Sequence, residues 1–348
     1  MNKPNRLSSP LRSAVVLLFA LFPSSSLQAQ EPQPDPSNTL VTYVKMVDVG
    51  VTVTDSSGKF IDGLRASDFQ LLDNGVERSL SAFALDVPTD VLVLIESGPA
   101  VYLIESGHLR AANGLLLGLS AKDRVAVAKY ADKPTGVSDF SSDKKVAAKA
   151  FEGLNFNLGF GALNLSDSIW TVLDWLDRTP GKKTIVLLST GVDTSDPEAN
   201  NRLLSRLRVE NVRVLAVSLL GELRTPQATN KKKPPSNAAV LAAEQFAKAD
   251  ETLRQLAEAS GGRVYFPTDS KAFTATYQEV AQVVDHQYSL GFSPAELDGK
   301  EHNIKVQVIT EGTGSKPAVS GDKKESPTLH VNHRQAYIAS AAALPGPQ

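Results

Sequence analysis

The sequence predicts a mainly parallel α/β domain flanked by a β-sandwich-like module that is built from both ends of the chain. Apolar strands alternate with amphipathic helices over residues 88–285, as is typical of a parallel sheet covered by helices on both faces. Residues 39–87 and 286–338 show instead the two-residue periodicity of β-strands. Neither β segment buries a face well alone, so we expect the two segments to pair.

Composition and charge restrict the classes of function. The chain has 348 residues, of which 42% are hydrophobic, so it can build a sizeable core. Its formal net charge is −2, or −5 without the first 30 residues, which hold three bases and no acid. A mildly acidic protein has no electrostatic reason to bind nucleic acid. The absence of cysteine excludes thiol chemistry, disulfides and a lipid-anchored lipoprotein.

The N-terminus has the features of a secretory signal peptide. Three bases precede the apolar run Ala14–Phe22, and the small-residue stretch SSSLQA follows it. We predict cleavage after Ala29 and export to the periplasm or the outside of a bacterium. A membrane anchor is the alternative, but nine apolar residues are too few to span about 30 Å of hydrocarbon. Residues 30–38 are predicted to be a disordered leader and residues 339–348 a loose tail.

The β segment at 39–87 predicts about four strands. Val49, Val51 and Val53 share one face of a strand, and Asp73-Asn74-Gly75 is typical of a hairpin turn. In the α/β region the predicted strands are 90–95, 124–130, 184–189, 212–217 and 263–266, and the predicted helices are 109–119, 143–154, 162–176, 196–209, 238–260 and 273–284. The basic loop at 221–236 is expected to be a solvated connection.

Polar residues follow the first strand of the α/β region, where open α/β sheets bind ligands. The stretch LIESGPAVYLIESG, residues 94–107, contains LIESG twice. Only the first copy follows a predicted strand, so we expect Glu96 and Ser97 at the carboxyl end of that strand. Glu105, in the second copy, is expected to be an exposed residue of the next helix.

Three segments resemble the von Willebrand factor A (vWFA) fold, and more closely the bacterial, acidobacterial-type proteins related to it. VTVTDSSGKFIDGLRASDFQLLDNGVERSL is similar to the front β segment of that family. Residues 90–220, with LSAKDRVAVAKY and DFSSDKK, resemble its nucleotide-fold body, and YSLGFSPAELDGKEHNIKVQV resembles its closing segment. The resemblance implies a Rossmann-like vWFA domain and a role in protein–protein interaction or cell adhesion.

The family's metal-ion-dependent adhesion site consists of a strand-end Asp-x-Ser-x-Ser motif, a Thr from a second loop and an Asp from a third. Mg²⁺ requires near-octahedral oxygen ligands at about 2.0–2.1 Å. All five positions differ here, and the matching residues are Glu96, Gly98, Ala100, Gly161 and Thr190. One carboxylate and one hydroxyl do not assemble such a site. The resemblance therefore implies a degenerate site, and we expect no metal or other cofactor, with bound Mg²⁺ as the alternative.

The later strand-end segment DTSD, residues 193–196, keeps a metal-dependent alternative open. Asp193 or Asp196 would join Glu96 as a ligand in that case, although Asp196 is favoured as a helix N-cap. Asp167 is placed near the same crevice but is more typical of a surface helix acid. The candidate ligand-binding crevice is lined by Glu96, Ser97, Asp167, Thr190, Asp193 and Asp196.

An enzyme is the competing class of protein. The chain has neither a Gly-x-Ser-x-Gly nucleophile elbow nor a Gly-x-x-x-x-Gly-Lys phosphate loop. His330 and His333 lie on a predicted strand and are expected at the surface, and His302 has no evident partner. We therefore expect no catalytic residues. The chain is predicted to be an exported, non-enzymatic protein that binds or scaffolds a protein partner, with an envelope hydrolase as the less favoured alternative.

Overall fold

The computed structural model describes residues 46–85, 87–98, 105–154, 161–221, 237–309 and 329–339. Residues 1–45, which hold the predicted signal peptide and leader, lie outside this part of the chain, as do 222–236 of the basic loop and 340–348 of the tail. None of the described helices is both long and apolar enough to cross a membrane.

The described strands and helices follow the predicted alternation. The strands are β1 (Val47–Thr54), β2 (Phe69–Asp73), β3 (Val76–Arg78), β4 (Leu80–Leu85), β5 (Thr89–Glu96), β6 (Arg124–Tyr130), β7 (Pro134–Ser141), β8 (Lys182–Ser189), β9 (Val212–Ser218), β10 (Arg263–Tyr265), β11 (Tyr288–Phe292), β12 (Glu301–Val308), β13 (His330–Asn332) and β14 (Ala336–Ile338). The helices are α1 (Glu105–Gly118), α2 (Lys144–Glu152), α3 (Leu165–Leu176), α4 (Pro197–Val209), α5 (Asn237–Ala259) and α6 (Ser270–Asp285).

The central sheet has six strands in the order β10-β9-β8-β5-β6-β7. All neighbours are parallel except β6 and β7. The chain starts in the middle of the sheet at β5, extends to one edge through β6 and β7, and then returns to build the other edge from β8. This is the strand order of doubly wound nucleotide-binding folds, and it confirms the predicted mainly parallel sheet.

The edge strand β7 was not predicted from the sequence. Its residues, PTGVSDFS, lack the apolar run of a buried strand, and none of them is fully buried. Its pairing with β6 is antiparallel and interrupted by register shifts. An edge strand makes hydrogen bonds on one side only, so its sequence carries a weaker pattern than that of a central strand.

Both faces of the central sheet are covered by helices, as predicted. All eight residues of β5 are buried. Val91, Val93 and Ile95 pack with helices α1, α2 and α6 on one face, while Leu92 and Leu94 pack with α3, α4 and α5 on the other. This alternation explains why β5 reads as a continuous apolar run in the sequence.

The flanking module is built from strands of both ends of the chain, as predicted. One of its sheets has the order β13-β1-β11-β4 and the other β14-β12-β2-β3, with every pair antiparallel. A separate hydrophobic cluster lies within it and includes Val49, Val51 and Tyr288. The predicted hairpin turn between β2 and β3 is confirmed, because Asn74 and Gly75 both have positive φ.

Two arginines connect the module to the amino-terminal ends of the strands of the central sheet. Arg213 on β9 donates to the hydroxyl of Thr52 at 2.8 Å and to the carbonyl of Gly50 at 3.1 Å. Arg334 donates to the carbonyls of Val209 at 3.0 Å and Asp48 at 2.6 Å. The module therefore docks at the edge opposite the carboxyl ends of the parallel strands, and it leaves those ends uncovered.

Two histidines contradict the sequence-based expectations. His333 is buried, and its Nε2 accepts a hydrogen bond from the amide of Val306 at 3.1 Å. The side chain of His302 is also buried, between Asp73 at 2.9 Å and Asp298 at 3.2 Å. The expected surface position of His333 and the expected isolation of His302 were wrong, because Val306 and Asp73 are distant in the sequence. His330 is exposed, as expected.

We predict that residues 88–285 fold when they are produced alone. The buried residues of both hydrophobic clusters of the central sheet lie within this segment, with Phe60 packed against one of them from outside, and those of the flanking module's cluster lie outside it. The melting temperature should be lower than that of the longer chain, because Arg213 loses its partners in β1. Cooperative thermal unfolding, followed by circular dichroism, is the measurement. A segment that shows no cooperative transition would contradict the division into two modules; the same segment with Val93→Asp is the unfolded control.

Candidate functional site

The strand order of the central sheet places a crevice between β5 and β8. Strands β6 and β7 lie on one side of β5, and strands β8, β9 and β10 lie on the other. Ligands of open α/β sheets bind where the strand order reverses in this way. Glu96 is the last residue of β5, Ser189 is the last of β8, and Thr190 follows directly. Tyr130 ends β6 and is aligned with Glu96 across the sheet.

The carboxyl group of Glu96 is directed into the protein and is completely buried. Its Oε2 accepts hydrogen bonds from the amide of Thr190 at 2.7 Å and from its hydroxyl at 2.8 Å. Ser189 Oγ donates to the same oxygen at 3.1 Å and the Tyr130 hydroxyl at 3.2 Å. Oε1 has no hydrogen-bond partner among the described residues. The acid thus joins the ends of β5, β6 and β8.

Burial favours the neutral forms of the two acids in this cluster. Desolvation raises the pKa of Glu96 above its ordinary value of 4.5, although the hydrogen bonds from Thr190 act in the opposite direction. The pKa of the Tyr130 hydroxyl is raised well above its ordinary value, first by desolvation and then by the nearby Glu96. The hydroxyls of Tyr130 and Ser189 also lie 2.7 Å from each other; because each has one proton, a bond between them replaces one of the two bonds to Glu96.

Asp193, in the loop after β8, caps the N-terminus of the separate helix α3. Its carboxylate accepts hydrogen bonds from the amides of Leu165 at 3.1 Å and Ser166 at 3.2 Å, at the start of α3. The N-cap residue of that helix, Asn164, makes no such bond with its own side chain. Asp193 therefore stabilises the amide groups and the positive end of α3 from outside the helix.

The remaining acids of the predicted crevice lie at the surface. Asp196 caps α4 by accepting a hydrogen bond from the amide of Glu198 at 3.0 Å, so the N-cap prediction is confirmed. Asp167 is exposed in the first turn of α3. The second LIESG copy lies where α1 begins, at Glu105, as predicted, although the side chain of Glu105 is outside the described part of the structure.

Direct hydrogen bonds hold the loops of the crevice together. Thr194 and Leu163 exchange two bonds, from the Thr194 amide to the Leu163 carbonyl at 2.8 Å and from the Leu163 amide to Thr194 Oγ1 at 2.9 Å. The amide of Asn164 donates to the carbonyl of Ala131, just after β6, at 2.8 Å. Ser97 is buried, and its hydroxyl donates to the carbonyl of Tyr130 at 2.9 Å.

The residues at the five positions of the adhesion site do not fit a magnesium ion. Gly98 has no side-chain oxygen, and a Cβ added there would lie 2.8 Å from a methyl carbon of Leu163, which would have to move. The hydroxyl of Thr190 already donates to Glu96, and Gly161 has no side-chain oxygen. Ala100 lies outside the described residues. Within the described part of the chain, no group of three or more His, Asp or Glu residues is arranged to hold a metal.

Tyr130 and Ser189 also belong to the site, although the sequence motif does not predict them. Both are the last residues of predicted strands, and the carboxyl ends of parallel neighbours lie together. Strand-end position was thus the available signal. Ser189 is completely buried, and a substrate therefore has no access to its hydroxyl in this arrangement.

Comparisons with known proteins found likenesses of shape only. No family model and no curated protein matches the chain. Among solved structures, a von Willebrand factor type A protein from Catenulispora acidiphila has a TM-score of 0.43 at 11% identity and covers 78% of this chain and 72% of its own. The ArnB paralog VWA2 from Sulfolobus acidocaldarius has a TM-score of 0.41 at 13% identity, with coverages of 84% and 76%.

A third similar structure is an aerotolerance-related membrane protein from Bacteroides fragilis, with a TM-score of 0.40, 13% identity, and coverage of 56% of this chain and 98% of its own. The order of the strands establishes a mainly parallel α/β architecture with flanking antiparallel sheets. The relation to vWFA proteins, the degenerate metal site and the acidobacterial type stay predictions.

We predict that Glu96→Ala destabilises the protein by about 1–3 kcal/mol, because buried donors of Thr190 and Tyr130 lose their acceptor. Glu96→Gln keeps an acceptor oxygen at the same place and should cost less. Denaturant unfolding of both variants and of the original protein measures the difference. Equal stability of the Ala variant and the original protein would contradict a structural role for Glu96, and Asp167→Ala is the control for loss of an exposed acid.

The raised pKa of Glu96 also predicts a dependence of stability on pH. Above about pH 4.5, the ordinary value, the unfolded chain loses this proton while the folded chain still holds it, so stability falls as the pH rises through the folded-state pKa. Glu96→Gln has no proton to lose. The free energy of unfolding of this variant, relative to the original protein, should therefore rise with pH between about 4.5 and the folded-state pKa and be constant on either side of that range. A difference that is independent of pH would show that the pKa is not raised.

Proposed function

We propose that the chain is an exported, periplasmic or extracellular protein related to the vWFA proteins, which binds or scaffolds other proteins without a catalytic activity and without a bound metal. One observation carries this proposal. The acid at the strand end of the crevice is buried and hydrogen-bonded by the protein itself, at the place where the family's adhesion site would hold a metal ion.

The hydrogen bonds of the crevice join its loops to one another, as a bound metal ion would. A bound ion joins loops by drawing oxygen ligands from each of them. Here Glu96 joins the ends of β5 and β8 directly, and Asp193 joins the loop after β8 to the start of α3. The loops thus have a fixed arrangement that does not depend on an ion.

The alternative of metal-dependent adhesion through Glu96 and Asp193 or Asp196 is less well supported. It would require the carboxyl group of Glu96 to leave Thr190, and Asp193 or Asp196 to leave a helix N-terminus. A hydrolase is also less well supported, because Ser189 and Tyr130 are buried.

A protein partner would contact the rim of the crevice and not its buried acid. Asp167, Val192 and Asp196 are exposed at this rim. The exposed fraction of Val192 is 37%. This combination of one apolar and two acidic contacts favours a partner surface with complementary basic groups.

We predict that divalent metal ions do not change the melting temperature of residues 30–348. A ligand that binds only the folded state at 100 times its Kd stabilises that state by about 2.7 kcal/mol, which is readily visible in a thermal melt. The measurement compares melts in EDTA with melts in millimolar Mg²⁺, Mn²⁺ or Ca²⁺, for the original protein and for Glu96→Ala.

A rise in melting temperature that Glu96→Ala abolishes would contradict the metal-independent proposal and favour metal-dependent adhesion. Partner binding is then tested by capture from an envelope extract in EDTA and in Mg²⁺. The proposal expects the same bound proteins in both buffers, and less capture by the double variant Asp167→Ala/Val192→Ala. Capture only in Mg²⁺ would overturn it.

A further inference from the structure

A small cavity between the flanking module and the central sheet is lined by buried cations. The side chains of Lys182, Arg213 and Arg334 line it, and each of these residues is less than a tenth exposed. Lys182 begins β8 and Arg213 lies near the start of β9, while Arg334 lies between β13 and β14. The cavity, of about 20 Å³, therefore lies at the junction of the two modules, far from the crevice of Glu96.

The hydrogen bonds of these three cations go to neutral oxygens. Lys182 donates to the carbonyl of Val284 at 3.0 Å. Arg213 donates to a hydroxyl and a carbonyl of β1, and Arg334 donates to two carbonyls, as described above. None of the three forms an ion pair in the described part of the chain, and Nε of Arg334 has no hydrogen-bond partner there.

The acids that line the cavity do not balance its positive charge. The lining contains four cations, because Lys183 is there as well, and two acids, Asp48 and Glu210. Asp48 already accepts hydrogen bonds from the side chains of Ser289 and Asn211. Glu210 is bound by Arg206 at 3.0 Å. The lining of the cavity therefore has a formal excess of two positive charges, while Asp123 and Asp285 lie near Lys182 but outside the lining.

Charges without a partner are unstable in a buried site, so this arrangement favours a negatively charged ligand. Burial, together with the nearby Arg213, lowers the pKa of Lys182 to about 7, although Asp123, Asp285 and Asp48 act in the opposite direction. Burial also lowers the pKa of Arg334 to about 10. An anion in the cavity would favour the charged forms of Lys182 and Arg334 and so raise both pKa values. A water-sized particle needs about 10–15 Å³ of such volume, so the cavity has room for a single monatomic ion.

We propose that this junction cavity binds a small inorganic anion of the size of chloride. The anion neutralises the positive charge that Lys182, Arg213 and Arg334 share, and it stabilises the contact between the flanking module and the central sheet. This site is separate from the proposed protein-binding crevice and does not depend on it.

The test compares melting temperatures of residues 30–348 at constant ionic strength, in sodium chloride and in sodium gluconate, whose anion is too large for the cavity. At a tenfold excess of chloride over its Kd, the melting temperature should be about 2–4 °C higher in chloride. Lys182→Met removes one charge and keeps an unbranched side chain, so it should abolish most of this difference. Arg202→Gln, which removes an exposed charge of α4, should leave the difference unchanged.

Chloride-35 NMR gives a second measurement on the unaltered protein. Bound chloride broadens the resonance, and at fixed protein concentration the broadening should fall as added chloride saturates the site and be reversed by bromide. The proposal is overturned if the melts in the two salts agree, if Lys182→Met and Arg202→Gln retain the same chloride difference, or if the NMR line shows no saturable broadening. The NMR measurement remains decisive if Lys182→Met does not fold.

Discussion

The carboxyl group of Glu96 lies where three neighbouring strands end, and its hydrogen bonds determine what this edge of the sheet can do. Four donors from Thr190, Ser189 and Tyr130 converge on one of its oxygens. An acid in this position has given up its contact with water, which raises its pKa. It is therefore suited to fixing the strand ends and poorly suited to holding an exposed ion for a partner.

The flanking module and the crevice lie at opposite ends of the strands of the central sheet. Arg213, near the amino end of β9, reaches the carbonyl of Gly50 in β1, and Arg334 of the module reaches the carbonyl of Val209, before β9. The carboxyl ends are left to the loops that surround Glu96. This division allows the module to stabilise the protein without covering the rim at Val192 and Asp196.

The buried polar groups at these two ends of the strands have different hydrogen-bond partners. Around Glu96, hydroxyl and amide donors from the protein satisfy one oxygen of the acid. At the junction cavity, three cations share neutral acceptors and have no carboxylate partner in the described part of the chain. Buried positive charges without a carboxylate partner favour a negatively charged ligand. For this reason the junction cavity is proposed as a binding site, whereas the network around Glu96 is structural.

The sequence by itself determined the alternation of strands and helices, the pairing of the two β segments and the lack of side-chain oxygens at Gly98 and Gly161. These follow from local periodicity and from residue type. Only the tertiary structure decided that Glu96 turns inward and that Asp193 caps α3, because their partners lie 94 and 28 residues away. The edge strand β7 and the contacts of His302 also required it, since neither has a local pattern that distinguishes it.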